Sequence, residues 1–384
     1  MPPPFRKELE DLESAGLRRA LVNVESARPG RITAGGRELL NFSSNDYLSL
    51  SFDQRLKDAA SRAALELGAG SGASRLITGN LSCHVSLEAR LSEFKKTESA
   101  LVFNSGYHAS VGAIPALVGR GDEIFSDKLN HASILDGCIL SRARLRRYPH
   151  RDVASLKRLL SRSTVKRKLI VTDGVFSMDG TIAPLAEILD LSRRFNALVY
   201  VDDAHSTGVL GPGGRGTLEH FGIEDSRIIQ MGTLGKALGS FGAYVAGTHD
   251  IIERLKNSAR SFIYTTALPP SVCASAEAAI GIVEKEPKRR ERLLKHAEFL
   301  RHEFLSMGLD VMGSETQIIP VLIGDARKAV ALSRALMDKG FYVHAVRPPT
   351  VPAGTSRLRV TPVAAHTEED LRALVAAIRE ETNE

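Results

Sequence analysis

The sequence predicts an α/β fold: a large domain on a mainly parallel seven-stranded sheet, then a smaller C-terminal α+β domain. Three observations carry this. From about residue 45, seven short apolar runs alternate with helical stretches, the pattern of a parallel sheet covered by helices on both faces. After Pro269-Pro270 the composition turns strongly helical, and strand–helix–strand signals then recur. With 384 residues, 43% of them apolar and 25% charged, the chain is long enough for two or three units with cores of their own.

In chain order, the first element is an amphipathic helix to about Leu21. Phe5, Leu9, Leu12, Leu17 and Leu21 fall near helical spacing, and Pro2, Pro3 and Pro4 sit ahead of it, where proline is tolerated. A short strand is expected at Arg37–Phe42, bounded by Gly35-Gly36. The sheet strands are expected at Ala100–Phe103, Glu123–Ser126, Leu145–Tyr148, Lys168–Thr172, Ala197–Val201, Arg227–Met231 and Ala243–Gly247, with helices such as Pro184–Phe195 between them. A charged helical stretch, Glu284–His296, leads into Ile318–Ile323, Ala326–Lys339, Phe341–Val346, Arg357–Thr361 and a last helix from Glu368. The expected division is 1–44 (N-terminal helix and strand), 45–280 (large domain) and 281–384 (small domain), with the N-terminal helix packing on the last.

Composition excludes several classes. A net charge of +6 is too mild to argue for nucleic acid. Cys83, Cys138 and Cys273 are too few and too scattered for a zinc motif or a disulfide framework, so no metal and a reducing, cytoplasmic setting are expected. The first residues lack a signal-peptide core and no apolar run reaches membrane-spanning length, so no membrane association is expected. Arg142–Lys168 holds eleven basic residues against one acid: either a solvated face, or a docking surface for a polyanion such as coenzyme A or an acidic carrier protein.

Parallel sheets bind ligands beyond the carboxyl ends of their strands. There, Leu198-Val-Tyr-Val201 runs into Asp202-Asp-Ala-His205, and carboxylates at a buried strand tip are costly unless paired. The plain alternative is that one of the acids caps a helix. A later strand runs into Gly232-Thr-Leu-Gly-Lys236, a lysine among glycines and small residues. A lysine in a dry setting titrates low and can form a Schiff base. A phosphate-binding P-loop is excluded, because Ala237 stands where that motif needs Ser or Thr. Together, an acid and a glycine-flanked lysine 34 residues apart suit pyridoxal phosphate: the lysine binds the aldehyde and the acid holds the pyridine nitrogen protonated. The phosphate needs a helix N-terminus, and Ser105-Gly106-Tyr107 after the strand at Ala100 offers one. Thr233 can add a hydroxyl. His131 starts a helix and can lie over an aromatic ring, or simply mark the helix entry; Ser177 can reach the ring oxygen, or close a turn with Asp179-Gly180. Arg357 and Arg359 share a strand face and offer a clamp for a substrate carboxylate, or surface ion pairs.

The ordered set Asn41–Leu48, Gly70–Arg75, Ser105-Gly-Tyr107, Asn130–Ser133, Gly174–Gly180, Asp202–His205 and Gly232–Lys236 resembles the α-oxoamine synthases, fold-type I pyridoxal-phosphate enzymes, over nearly the whole chain. The resemblance implies catalytic roles for Lys236 (Schiff base and proton abstraction), His131 (stacked on the ring) and Asp202 (on the pyridine nitrogen). It implies that His205 and Ser177 contact the ring hydroxyl side and that Gly106, Tyr107 and Thr233 hold the phosphate. It assigns Arg18, Asn45, Thr350, Arg359 and Arg347 to substrate alongside His131. It further implies a homodimer with the active site at the subunit interface, where Thr266 reaches the partner's cofactor phosphate. The loop Arg347–Gly354 points to the family member that condenses L-alanine with pimeloyl-CoA or a pimeloyl carrier protein in biotin biosynthesis. The rivals are the glycine-using 2-amino-3-ketobutyrate CoA ligase and the 5-aminolevulinate and serine-palmitoyl chemistries, which share the same catalytic residues. His108, in the phosphate motif, has no role implied.

Overall fold

The structure, a computed structural model, describes residues 5–383. It falls into two compact units: Leu50–Phe176 with Ile182–Arg290, and the chain up to Ser49 with Ser177–Thr181 and Glu291 onward.

The larger unit carries the seven-stranded sheet: β1 Ser99–Phe103, β2 Glu123–Asp127, β3 Arg144–Tyr148, β4 Lys168–Asp173, β5 Leu198–Asp202, β6 Ile228–Thr233 and β7 Ala243–Gly247. Their order is β1-β7-β6-β5-β4-β2-β3. Only β7 runs against its neighbours, so the sheet is mainly parallel as expected. Side-chain alternation sends Leu169, Val171 and Tyr200 into one buried cluster and Ile170, Val199 and Val201 into another, on opposite faces. Burial on both faces explains why these strands read as continuous apolar runs. β4, β5 and β6 run one or two residues past their expected ends, taking in Asp173, Asp202 and Thr233. Backbone pairing continues there, with Asp173 opposite Asp202 in register.

The topology spreads the basic stretch over an edge strand and the start of β4. β3 is an edge strand, and its exposed Arg144 and Arg147 keep another strand from pairing with it. Arg146 bonds Glu123 at 2.8 Å, and Arg167 lies 3.6 Å from Asp122. Lys168 opens β4, whereas Asp173 closes it, so the cations Lys166–Lys168 stand at the opposite end of the sheet from the acids.

In the smaller unit, Ser26–Arg28, Arg31–Ala34 and Arg37–Asn41 form an antiparallel meander joined by Phe341–Tyr342. Ile319–Gly324, Ser356–Val360 and His344–Val346 form a second sheet. The single strand expected over Phe341–Val346 is therefore two, because the chain changes sheets at the buried Val343. Phe42, Leu300, Phe304, Ile319, Val321, Leu358, Leu374 and Ile378 belong to its core. The N-terminal helix spans only Arg6–Ser14. Its apolar spacing continues in the sequence, but Gly16 adopts a left-handed φ of 68° and ends it. Phe5, Leu9, Leu12 and Leu21 are all exposed, so periodicity there marks no core face. The helix meets the rest of its unit through Arg327, which donates to the Ser14 carbonyl. Pro2, Pro3 and Pro4 lie outside the described residues.

Candidate active site

In the larger unit, the carboxyl ends of the strands gather the predicted chemistry. Asp202 closes β5 with its side chain buried, and one oxygen accepts from the Ala204 amide at 3.0 Å. Burial pushes its carboxyl above the usual range, while the positive charge of Lys236 pulls it back. Asp203 does different work. It receives Lys95 Nζ at 3.0 Å, the Thr217 amide at 3.2 Å, and the hydroxyls of Ser206 and Thr217. Asp203 is thus taken up by a lysine and neighbouring donors, and Asp202 is left facing Lys236.

Lys236 is half-buried in the loop after β6, which is closed by Leu234 and Ser240 bonding across it. Its charge acts on Asp202, His131 and Asp173 together. His131 is the N-cap of the helix Ala132–Ser141; its Nδ1 accepts from the Ser133 amide at 3.2 Å. An accepting Nδ1 requires the neutral ring, and burial does lower the His131 pKa, with Lys236 adding to the effect and Asp202 opposing it.

The helix Gly106–Leu117 follows β1 with Ser105 as N-cap, whose oxygen accepts from the His108 amide at 3.2 Å. The amides of Gly106 and Tyr107, in its first turn, have no intrahelical acceptor and point out of the helix end. A Cβ at Gly106 would stand 2.9 Å from Thr233 Cγ2, so glycine lets the two approach without a shift. That close approach brings the helix end against Thr233 at the tip of β6. His108 is accounted for locally: its Nδ1 lies 3.0 Å from the Ser105 hydroxyl. His205 is buried three residues past Asp202. Thr266 is exposed, and its carbonyl accepts from Asn104 at 2.9 Å.

The other predicted residues belong to the smaller unit. Arg359 is buried and donates to the Ser177 carbonyl at 2.7 Å, Asn45 Oδ1 at 3.2 Å and the Tyr47 hydroxyl at 3.3 Å. Among the described residues no carboxylate bonds it. Arg357 does share its strand face, since both reach the Ser177–Asp179 segment, but Asp179 neutralises Arg357 at 2.8 Å. The expected carboxylate clamp therefore narrows to Arg359. Arg347 donates to the Arg18 carbonyl at 2.6 Å, and Thr350 accepts from Arg19 at 3.0 Å. Sequence reasoning missed Asp173, Asn130, Tyr47 and Arg19 as participants. Asp173 carried a usable signal, an acid at the end of an apolar strand like Asp202.

The scattered cysteines also need a correction. Cys83, His84 and Cys273 bring their ligand atoms within 4.8 Å of one another. His84 uses both ring nitrogens on backbone, Nδ1 accepting from the Leu81 amide at 3.1 Å and Nε2 facing the Leu268 carbonyl at 2.9 Å. Burial raises both thiols.

Comparison with known proteins agrees with this geometry. The family model for aminotransferase class I and II matches residues 37–378. An 8-amino-7-oxononanoate synthase from Geobacter sulfurreducens is 54% identical over 374 residues, 97% of this chain and 96% of that one. Its namesake from Geobacter metallireducens is 52% identical, covering 97% of each. Among solved structures, serine palmitoyltransferase from S. paucimobilis with a bound PLP-myriocin aldimine superposes with a TM-score of 0.94 at 32% identity, covering 99% of this chain and 97% of that one. An 8-amino-7-oxononanoate synthase from Francisella tularensis gives 0.79 at 31% identity, covering 90% and 98%. The chain belongs to the aminotransferase class I and II family, within which it shares more than half its residues with 8-amino-7-oxononanoate synthases.

Proposed function

We propose that this chain condenses L-alanine with a pimeloyl thioester, on coenzyme A or a carrier protein, and releases 8-amino-7-oxononanoate, CO2 and the thiol. The observation that carries this is the cluster of Lys236, Asp202 and His131 at the strand ends of a chain 54% identical to a synthase of that name. Relatives from several bacteria, 48–54% identical over nearly the whole chain, share that synthase's name, which favours this reading over the sister chemistries.

The residues fit pyridoxal phosphate. A buried acid, Asp202, can supply the anion a pyridinium needs, and the half-buried Lys236 lies in its field. The helix end at Gly106 and Tyr107, beside Thr233, is a cradle that a Cβ would fill. When bound, the cofactor supplies the electron sink that makes the amino acid's α-carbon acidic. The chain supplies the rest. Lys236 anchors the aldehyde carbon and moves the α-proton through its Nζ. Asp202 keeps the ring nitrogen protonated. Neutral His131 covers the ring face and excludes water. Ser177 and His205 serve the ring hydroxyl. Arg359, held by neutral acceptors alone, offers its charge to the amino acid's carboxylate, with Asn45 beside it. Arg18, Arg347 and Thr350 are assigned to the acyl donor. The exposed apolar side chains Phe5, Leu9, Leu12, Leu76, Ile77 and Tyr264 support a homodimer, in which exposed Thr266 serves the phosphate held by the partner subunit. Free thiols at all three cysteines support a cytoplasmic setting.

The test is mass spectrometry of the product from pyridoxal phosphate and pimeloyl-CoA with L-alanine, glycine or L-serine in separate reactions. The decarboxylated product is expected with alanine, and not with Lys236→Ala. Turnover only with glycine and a short acyl-CoA would overturn the assignment.

A further inference from the structure

We propose that Asp173 is a positioning residue of the cofactor site, acting through His131 as a neutral, proton-bearing partner of Asp202. This rests on the reading of the cluster as a pyridoxal-phosphate site. β4 and β5 end side by side, with Asp173 and Asp202 as register partners. Both are buried, at 3% and 4% exposure. Asp173 Oδ2 accepts from the main-chain amide of His131 at 2.7 Å. The Asp173 amide in turn donates to Asn130 Oδ1 at 2.9 Å. Asn130 is pinned by its own bonds to the Val171 carbonyl and the Ser126 hydroxyl, each 2.9 Å. The backbone that carries the His131 ring is thus tied to the tip of β4 by one carboxyl oxygen and one asparagine.

Two buried carboxyls side by side do not both ionise. The groups facing Asp173 decide which of them keeps the proton. From β5 comes Asp202, from the end of β2 Asp127, from the loop after β6 Lys236, and from its own hydrogen bond His131. Asp127 is engaged by the amides of Leu129 and Arg151, each at 2.8 Å, and by His150 at 3.2 Å. The charge of Lys236 and the Ala204 amide, 3.0 Å away, both favour the anion of Asp202. Around Asp173, burial and the charges of Asp202 and Asp127 favour the acid, so its carboxyl is pushed far above the usual range. The proton stays on Asp173. Its oxygen still accepts from the His131 amide, and Asp202 remains the single anion for the ring nitrogen.

The experiment compares Asp173→Asn with Asp173→Ala, and with Asp202→Asn as the contrasting acid. Asparagine reproduces the neutral acid: it keeps the oxygen for His131 and cannot ionise. Asp173→Ala is expected to lower kcat about tenfold or more with little change in the thioester KM, and to speed amide exchange at His131 in the cofactor-free protein. Asp173→Asn is expected to recover most of both losses and leave the pH profile of the cofactor absorbance unshifted, whereas Asp202→Asn shifts it. Asp173→Gln, which carries the amide out of reach of His131, replaces the alanine variant if that does not fold. Equal damage from asparagine and alanine would overturn the proposal, because the anion would then be the working form. Wild-type kcat and His131 exchange in Asp173→Ala would overturn it as well. The exchange measurement needs no cofactor, so it is separable from a failed cofactor reading, which would appear as wild-type protein that does not bind pyridoxal phosphate.

Discussion

Replacing His366 with asparagine should remove a defined part of the protein's acid sensitivity. His366 is 3% exposed and stacked on Phe42, with ring centroids 4.1 Å apart. Its Nδ1 accepts from the Val363 amide at 3.0 Å, which leaves the hydrogen on Nε2, 3.3 Å from the Gly30 carbonyl. The ring is built to be neutral. Burial pushes its pKa from 6.5 down to about 4, against the opposing pull of Asp370 and the Gly30 carbonyl. Between those values the unfolded chain binds a proton that the folded chain does not. The contribution is therefore complete above the unfolded pKa and is lost as the pH falls toward 4. The slope approaches about 1.4 kcal/mol per pH unit, and the whole window is worth about 3 kcal/mol. Asparagine keeps an oxygen for the Val363 amide but loses the stack and the Gly30 bond, a cost of about 1–3 kcal/mol that does not depend on pH. The assay is urea unfolding followed by circular dichroism from pH 7.5 to 4.5. The wild type should lose about 2.5 kcal/mol more than the variant over that range. His84, His131 and His344, whose pKa values burial also lowers, titrate in both proteins and cancel in the difference. Equal losses in the two proteins would refute the reasoning.

Two further outcomes follow from packing and charge. Gly106→Ala sets a Cβ 2.9 Å from Thr233 Cγ2, so the helix end or Thr233 must move and the phosphate cradle opens. Spectrophotometric titration should show pyridoxal-phosphate affinity about tenfold weaker or worse, the worth of a bond to an anion, with the urea midpoint little changed. Lys95→Met strands the carboxylate of Asp203, since both side chains of that 3.0 Å pair are fully buried. The expected loss is about 3–5 kcal/mol by urea unfolding, and Asp203→Asn in the same chain should restore part of it.

Much of the site is legible in the sequence because its signals are local. An apolar strand that ends in an acid, and another that ends in a glycine-flanked lysine, need only a few residues to be recognised, and both stand where the strand ends predict. Other residues are not legible, because their roles are set by distant partners. Arg357 and Arg359 are alike by spacing, yet Asp179 neutralises the first while the second meets only neutral acceptors. Asp202 and Asp203 are neighbours in sequence, and the distant partners Lys95 and Thr217, which bond Asp203, distinguish them. The N-terminal leucines read as a core face, but no core lies beneath them among the described residues.

The sequence by itself determined which segments become strands and helices, that the sheet is mainly parallel, and which residue types stand at its carboxyl ends. Those properties follow from side-chain periodicity and apolar runs, which act over a few residues. The tertiary structure decided the state of each charged group: which acid takes a lysine, which arginine keeps its charge unopposed, and which histidine is held neutral. These depend on burial and on partners a hundred or more residues away, because the energy of a charge is set by everything folded around it.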